Sequence, residues 1–499
     1  MSILEKNNLS FSDVISLIKN PDKISLSDAT KSKIIQSYNR VQKLSKNNEA
    51  VYGINTGFGP LCTKRISVEE AELLQKNLLL SHAVGVGEPV DPIISKIMLV
   101  CKIISLSKGY SGVRLEIIER LIFFIQNDII PVVPKQGSVG ASGDLAPLSH
   151  LFLPLIGMGY LWNEKQKVSC EFILKKHKLN PFKLKAKEGL ALINGTQFIL
   201  AHAIQGISKL EYLFDLADLA AGMTVEGFQG SITPFMEELH DLRPFDGTKK
   251  VAKRMRSILK NSENTKSHIN CDRVQDPYSI RCIPQVHGAS RNALNHLKEL
   301  TQVEINSVTD NPIILDNGVA VSGGNFHGQP LALAIDYLSI AVSEIGNISD
   351  RRIYLLLEGL YGLPKMLSEN PGINSGFMVT QYTTAALVSE NKSMCFPVSS
   401  DSIPTGMGQE DHVSMGSISG TKLLQVINNI EKIIAIELLN ASQALEFRRP
   451  NKFSPIIELS LDFIRKHVKK LKSDRLLSYD IEKMIELVNK RLINVKLDL

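Results

Sequence analysis

A mainly α-helical protein is predicted, a large bundle of long helices with a smaller N-terminal part. Three observations point there. Apolar residues keep a helical period over long tracts such as Ala201 to Val225 and Gln329 to Leu357. Runs with the two-residue period of a strand are short and few. Gly, Pro, Ser and Asn collect between the helical tracts, where turns belong. The N-terminal part is expected to span residues 1–110 and the bundle residues 111–499.

In chain order, Phe11, Val14, Ile15 and Ile18 mark a first helix that Pro21 ends, and Ile34, Tyr38 and Val41 mark a second. Tyr52-Gly53-Ile54-Asn55-Thr56-Gly57-Phe58-Gly59 breaks the pattern with a loop whose glycines imply a tight bend. Ser67 and Glu70 read as a capping box opening a helix through Leu73, Leu74, Leu78 and Leu79, with Ser81 and His82 at its far end. Asp91 and Pro92 start the next helix as N-cap and first-turn proline, with Ile93, Ile94, Ile97, Met98 and Cys101 facing inward. A further helix, Val113 to Ile125, delivers the chain to the stretch Gln136 to His150. Beyond Gly189 the long patterns continue at Ala289 to Asn306, Thr380 to Asn391 and Val413 to Phe447. Asp480 is expected to cap a last helix with Ile481, Met484, Ile485, Val488 and Leu492 on one face. Several of these helices are apolar on more than one face, which one chain covers poorly, so a homo-oligomer is expected.

Composition sets outer bounds. Of 499 residues 43% are hydrophobic and 22% charged, an ordinary folded balance that excludes a disordered class. No run approaches the ~20 uncharged apolar residues that span a bilayer. The first eight residues lack the basic-then-apolar pattern of a secretory signal, so a cytoplasmic protein without membrane association is expected. Cys62, Cys101, Cys170, Cys271, Cys282 and Cys395 are scattered, with no C-x-x-C pair and no metal-finger spacing. Reduced structural thiols and no bound metal follow. A formal charge of +6 is mild for this length. The densest basic cluster, Lys466 to Lys472, reads as a solvated helix face, and nucleic acid is not an expected partner.

The stretch Gln136 to His150 concentrates Gly137, Ser138, Gly140, Ala141, Ser142 and Gly143 after the apolar flank Ile129 to Pro134. It lacks the Gly-Lys-Ser/Thr ending of a P-loop and a G-x-G-x-x-G after a strand, so it is no phosphate cradle. Two readings remain: a flexible connector, or a chemical precursor in which an unhindered Gly143 nitrogen attacks the Ala141 carbonyl and Ser142 loses its hydroxyl as water. Other loops set functional side chains beside glycine: Asn194-Gly195-Thr196-Gln197, Gln275 to Arg281, Glu304 to Pro312, Ser322 to Gly328 and Gly408 to Gly416. Tyr278 and Arg281, three residues apart, share a face if their segment is helical. Singly each has a structural explanation: Asp310 and Asp411 could cap helices, Arg281 could pair with a carboxylate, and His150 and His412 could be satisfied core histidines. Together they read as one site assembled from distant loops. That site lacks a metal cluster, a nucleotide motif and an evident nucleophile, and an electrophile would complete it.

The run Gly140-Ala141-Ser142-Gly143-Asp144-Leu145-Ala146-Pro147-Leu148 resembles the signature of the aromatic amino acid ammonia-lyases. In that family the Ala-Ser-Gly triad cyclises into 4-methylideneimidazol-5-one (MIO). The resemblance extends to the Tyr52 loop, Asn194-Gly195-Thr196, Tyr278 with Arg281, Asp310-Asn311-Pro312, Gly323-Gly324-Asn325-Phe326-His327-Gly328 and Asn374-Ser375-Gly376-Phe377-Met378, hence to essentially the whole chain. It implies the long-helix bundle shared by ammonia-lyases and fumarase/aspartase-like enzymes. It also implies a prosthetic group formed from Ala141, Ser142 and Gly143 with no external cofactor, and a homotetramer whose active sites draw loops from more than one chain. By the same resemblance Tyr52 is the base and Arg281 holds the substrate carboxylate. Asn194, Tyr278 and Phe326 line or polarise the prosthetic group, and Gln275 joins the substrate-binding set.

Two further positions speak to the substrate. Ser81-His82 is similar to histidine lyases, and also to some tyrosine lyases, whereas phenylalanine lyases carry Phe-Leu there. Gln409-Glu410-Asp411-His412 resembles the histidine enzymes, while phenylalanine and tyrosine lyases usually lack an acid at that place. A carboxylate can hold an imidazole N–H and has little to offer a phenyl ring. L-histidine is the expected substrate and trans-urocanate with ammonia the expected products. A tyrosine or phenylalanine lyase or a 2,3-aminomutase on the same scaffold is the alternative. Two departures stand out: Gly408 occupies a position where relatives often have asparagine, and Arg243 to Thr248 lacks their His-Pro-Gly-Gln ending.

Overall fold

The computed structural model describes residues 6, 8–47, 49–59, 62, 65–268 and 273–497; Cys271, Pro60 and the first five residues lie outside them. Helix makes up 61% and strand 6%, as the helical periodicity predicts. The early helices are Phe11–Lys19, Asp28–Lys46, Val68–His82, Pro92–Ser107 and Leu115–Gln126. Their starts follow from their caps. Ser67 accepts from the Glu70 amide while the Glu70 carboxylate accepts from the Ser67 amide, and Asp91 accepts from the Ile93 amide ahead of Pro92. Beyond residue 190 the long helices are Gln197–Phe228, Ile283–Ile305, Gln329–Leu357, Met378–Met394 and Gly416–Glu446. Gln329–Leu357 is long and apolar enough to cross a membrane by length and composition, and 67% of its apolar window is buried in protein.

Three details differ from the sequence reading. The last helix is Leu477–Asn489 with Leu476 as a cap lacking a side-chain bond, so Asp480 sits inside the first turn, where it accepts from Arg475 Nε at 2.9 Å. Leu492, beyond that helix, is half exposed. The helix Pro455–His467 stops inside the basic cluster, so only Lys466 and His467 of that stretch are helical; Lys469 and Lys472 are solvated on irregular chain. Short strands also pair beyond what alternation revealed. Ile130–Pro131, Tyr160–Asn163 and Gln166–Ser169 form one antiparallel sheet, and Ile313–Ile314 pairs with Ala320–Val321.

The chain divides into two compact units, each drawn from three stretches. The first is Met1–Gln205, Leu297–Asp336 and Pro397–Thr421; the second is Gly206–His296, Tyr337–Phe396 and Lys422–Leu499. This is a different partition from 1–110 and 111–499. Four of the five boundaries, all but that at Phe396 and Pro397, fall inside long helices, where sequence composition does not change.

In the first unit Val68–His82 packs against Leu145–Phe152 and Glu188–Ile193. Gln75 Oε1 accepts from the Leu190 amide at 3.0 Å and ties two of them together. Val41, Ile54, Ala186 and Ile314 form a buried cluster that anchors the Tyr52 loop through Ile54. The second unit buries an ion network. Arg352 forks onto Glu437 at 2.6 and 2.9 Å. Arg254 Nε and His287 Nδ1 meet the two Asp218 oxygens at 2.8 Å each. Burial works against the Asp218 charge, but Arg291, His287 and Arg254 together hold its carboxyl well below the usual carboxylate range. Removing one partner from such a network costs about 3–5 kcal/mol because the other charge stays buried.

Candidate active site

Pairing of Val86 with Gln136 and of Pro89 with Pro134 leads the chain into the small-residue loop. The Gly143 amide donates to Gly140 O at 3.3 Å, closing a β-turn with Ala141 and Ser142 at its corners. Ser142 takes φ +51°, a left-handed conformation that this turn position usually gives to glycine and that costs an ordinary residue about 1–2 kcal/mol. Gly143 has no room for a side chain, since a Cβ would lie 2.2 Å from Gly195 O. The loop is therefore bent and fixed, which removes the flexible-connector reading.

Its anchors are specific. The Asp144 amide donates to Gly195 O at 2.7 Å. The Asp144 carboxylate accepts from the Phe198 and Ile199 amides at 2.9 and 3.0 Å, in the first turn of Gln197–Phe228, and from Ser417 Oγ at 2.7 Å. A carboxylate at a helix N-terminus satisfies otherwise orphaned donors. Burial nevertheless raises its pKa to about 6 against the lowering effect of those donors. The Met415 amide, donating to Val139 O at 2.9 Å, pins the other side.

A cavity of about 630 Å³ opens over Ser142, and Tyr52, His82, Asn194, Phe326 and Glu410 all line it. Ser142 Oγ donates to Glu410 Oε1 at 2.6 Å, and Thr405 Oγ1 donates to Glu410 Oε2 at 3.0 Å. Glu410 closes a tight loop with Thr405, whose amide donates to Glu410 O at 2.9 Å. Within that loop Gly408 has φ +85° and open space where a Cβ would stand. Asparagine tolerates that conformation best after glycine, so the departure from the relatives is conservative in backbone terms.

Asn194 follows the helix Glu188–Ile193 and its amide donates to Leu190 O at 3.0 Å. Its Nδ2 donates to the Ser142 carbonyl at 2.9 Å, while its Oδ1 is buried with no partner. Behind it the buried Lys102 donates from Nζ to the Asn194 main-chain oxygen at 2.7 Å. Tyr52 makes an edge contact with Phe58, ring centres 6.4 Å apart, and its hydroxyl accepts only a long bond of 3.5 Å from the Gly59 amide. Burial pushes the Tyr52 phenol above its ordinary value and the His82 imidazole below its own. Both are thus neutral at neutral pH. His82 Nδ1 pairs with Ser81 Oγ at 2.9 Å.

Gln275, Tyr278 and Arg281 lie in the second unit and do not line this cavity. Gln275 and Arg281 line a cavity of about 600 Å³ in that unit. Tyr278–Arg281 is a single helical turn, and the Arg281 guanidinium stands 4.5 Å from the Tyr278 ring centre. Arg281 Nε is buried without a partner and Tyr278 is 71% exposed. Among the residues with structural explanations, His150 is satisfied, its Nε2 accepting from the Gly85 amide at 3.0 Å. Asp310 is an ion-pair partner, 2.7 Å from Lys187 Nζ, and His412 stacks on His327 with ring centres 5.6 Å apart.

The cavity also takes in Asn311, Ser322 and Gln409, which lie in loops the sequence reading named without giving them a role, and Asn77, which it did not single out. Asn77 had a signal: Leu74, Asn77, Leu78 and Ser81 fall at i, i+3, i+4 and i+7, so a polar group interrupts one helix face. Lys102 had none, because a lysine in the apolar helix Pro92–Ser107 looks like an ordinary solvated position.

The sequence profile of a family described as aromatic amino acid lyase matches residues 9–466. A histidine ammonia-lyase of Symbiobacterium thermophilum is 44% identical over 97% of this chain and 95% of its own length. One of Bacillus subtilis is 44% identical over 98% and 97%. Among solved structures, a histidine ammonia-lyase from Trypanosoma cruzi has 39% identity and a TM-score of 0.89, covering 97% of this chain and 92% of that one. A tyrosine aminomutase from Streptomyces globisporus has 32% identity and a TM-score of 0.93, covering 99% of each chain. A match over residues 9–466, a range that includes the bent triad, the Asn194 turn and the Glu410 loop, leaves one assignment: the chain belongs to the aromatic amino acid lyase family.

Proposed function

We propose that this chain is an ammonia-lyase for L-histidine, yielding trans-urocanate and ammonia, the first step of histidine degradation. We infer with it that Ala141-Ser142-Gly143 matures to MIO without an external cofactor. The observation that carries the substrate is the Glu410 carboxylate, 2.6 Å from Ser142 Oγ in a cavity that His82 also lines. An imidazole N–H finds an acceptor there, beside the residue that forms the electrophile. The names of the relatives from Symbiobacterium thermophilum and Bacillus subtilis support the same reading.

The residues present fit the prosthetic group. The turn at Ala141 and Ser142 folds the backbone on itself, and Gly143 sits where only a glycine fits. The buried Oδ1 of Asn194 lacks a donor that an incoming amine would supply. In maturation the Gly143 nitrogen bonds to the Ala141 carbonyl carbon, whose oxygen leaves as water, and Ser142 gives up its Cα proton and hydroxyl as a second water. The ring would supply an exocyclic methylidene, an electrophile for the substrate amine. Asn194 Nδ2, on the Ser142 carbonyl, draws electrons toward that oxygen. Glu410 and His82 hold the imidazole, Tyr52 takes the β-proton, and Phe326 bounds the cavity. Arg281 holds the substrate carboxylate, with Gln275 and Tyr278 beside it, contributed within a homotetramer that works in the cytoplasm.

Purified protein given L-histidine should develop urocanate absorbance, and its intact mass should be two waters below that of the plain sequence. Turnover of L-tyrosine or L-phenylalanine with none of histidine refutes the substrate. The fold likeness to a tyrosine aminomutase favours a second reading, amine migration on the same scaffold; a β-amino acid product would establish it.

A further inference from the structure

The site leaves one buried charge without a role. Lys102, on Pro92–Ser107, is 1% exposed among Ile94, Ile97, Met98 and Val100. A buried ammonium is costly unless paired, and among the described residues this one has no direct ion-pair partner. Its short hydrogen bond goes to the main-chain oxygen of Asn194 at 2.7 Å. Burial lowers the Lys102 pKa to about 7, Asp310 and Asp144 raising it and Lys187 lowering it further, so the ammonium form is present up to about neutral pH; both acids are engaged elsewhere. Asp310 is held by Lys187 Nζ and Ser111 Oγ at 2.7 and 2.8 Å, and Asp144 by the Phe198 amide, the Ile199 amide and Ser417. The ammonium therefore points its hydrogen bond at the backbone of the one residue whose side chain donates to the Ser142 carbonyl.

We propose that Lys102 is a positioning residue for the electrophile: its ammonium fixes the Asn194 turn and strengthens the hydrogen bond from Asn194 Nδ2 to the Ser142 carbonyl. Two physical effects combine. A charged donor makes a shorter, stronger hydrogen bond than a neutral one, so the Asn194 peptide is held in a single orientation and its amide stays on the carbonyl. A positive charge in a dry interior also acts over distance with little screening. It favours electron density moving to the Ser142 oxygen, the direction in which loss of the Ser142 Cα proton during dehydration, and amine addition afterwards, draw it.

This inference rests on the MIO reading, and the experiment separates the two. Lys102→Gln keeps a donor for Asn194 O and removes the charge; Lys102→Met removes both. Intact mass of newly synthesised protein followed over time, melting temperature, kcat and KM for L-histidine are measured on wild type and both variants. The expected result is a Lys102→Gln protein that melts near wild type, matures more slowly, and has kcat lowered about 10- to 100-fold with KM little changed, as loss of a charged hydrogen bond predicts. A purely structural lysine would instead be rescued by glutamine, so wild-type maturation and kcat in Lys102→Gln overturn the proposal. If Lys102→Met fails to fold, the glutamine variant still decides. A wild-type mass equal to the plain sequence would refute the MIO reading itself, and this inference with it.

Discussion

Replacing Glu410 by glutamine tests the substrate assignment most directly, because it changes charge and hydrogen-bond polarity at almost constant volume. In the structure Glu410 Oε2 receives Thr405 Oγ1 at 3.0 Å and Oε1 faces Ser142 at 2.6 Å. The glutamine oxygen can keep the Thr405 hydroxyl as its donor, which turns the amide NH₂ toward the cavity. An acceptor then becomes a donor, and an imidazole N–H meets another N–H. The lost interaction is a hydrogen bond to a charged group, worth about 1.5–3 kcal/mol, or about 10- to 150-fold in kcat/KM. Phenylalanine and tyrosine offer Glu410 no ring N–H, so any turnover of them should be unchanged or improved. The assay compares kcat/KM for the three amino acids in wild type and Glu410→Gln, with intact mass measured on both so that failed maturation is not mistaken for lost binding. An unchanged histidine rate in matured Glu410→Gln removes the main ground for histidine over tyrosine.

Ser142→Ala should fold to a protein with a melting temperature close to wild type, retain the plain-sequence mass and lose lyase activity; full activity in that variant would falsify the prosthetic-group assignment. Asp144 sets a pH dependence. Its pKa, raised by burial from 3.8 to about 6, means that it binds its proton more tightly folded than unfolded. Its contribution therefore favours folding below about pH 4 and is lost as pH rises through about 6, a swing of about 3 kcal/mol. Asp144→Asn keeps an acceptor and does not titrate, so its melting temperature relative to wild type should climb by about 3 °C between pH 4 and pH 8; a constant difference refutes the buried-carboxylate argument. Finally, if sites are shared between chains, Tyr52→Phe and Arg281→Ala should each be inactive alone and regain part of the activity when co-expressed. Two inactive variants that stay inactive together in mixed oligomers would put both residues in one chain's site.

What the sequence made legible depended on whether the signal was local. Gln329–Leu357 is recoverable to the residue because its period and its flanking Gly328 and Gln329 are contiguous. The capping box at Ser67 and Glu70 is legible for the same reason. The last helix was misplaced because Leu476, an apolar cap with no side-chain bond, precedes it, and Asp480 mimics the usual signal. Short strands such as Ile130–Pro131 owe their existence to partners thirty residues away, on Tyr160–Asn163, which alternation over two residues cannot reveal. Within the cavity, Tyr52, His82, Asn194 and Glu410 were legible because their types are unusual beside glycines or at a helix end. Lys102 was hidden on a helix, where only the tertiary partner distinguishes a working side chain from a solvated one.

The cavity over Ser142 has a chemical imbalance that bears on how the site is completed. Among the described residues lining it there is no lysine or arginine, while Glu410 supplies an acid and Tyr52 and His82 are held neutral by burial. An amino acid entering such a cavity brings a carboxylate that finds no cation, and a carboxylate out of water without one is unfavourable by several kcal/mol. Tyr52 has the matching difficulty: a base must lose its proton, and burial opposes that. One guanidinium would resolve both, by pairing with the substrate carboxylate and by lowering the phenol's pKa through its charge. Arg281 has the right form, with its Nε buried and unpartnered and its fork stacked on the exposed Tyr278. In the proposed tetramer, then, substrate binding and activation of the base would be one electrostatic event, with Arg281 as the cation that this cavity lining does not supply.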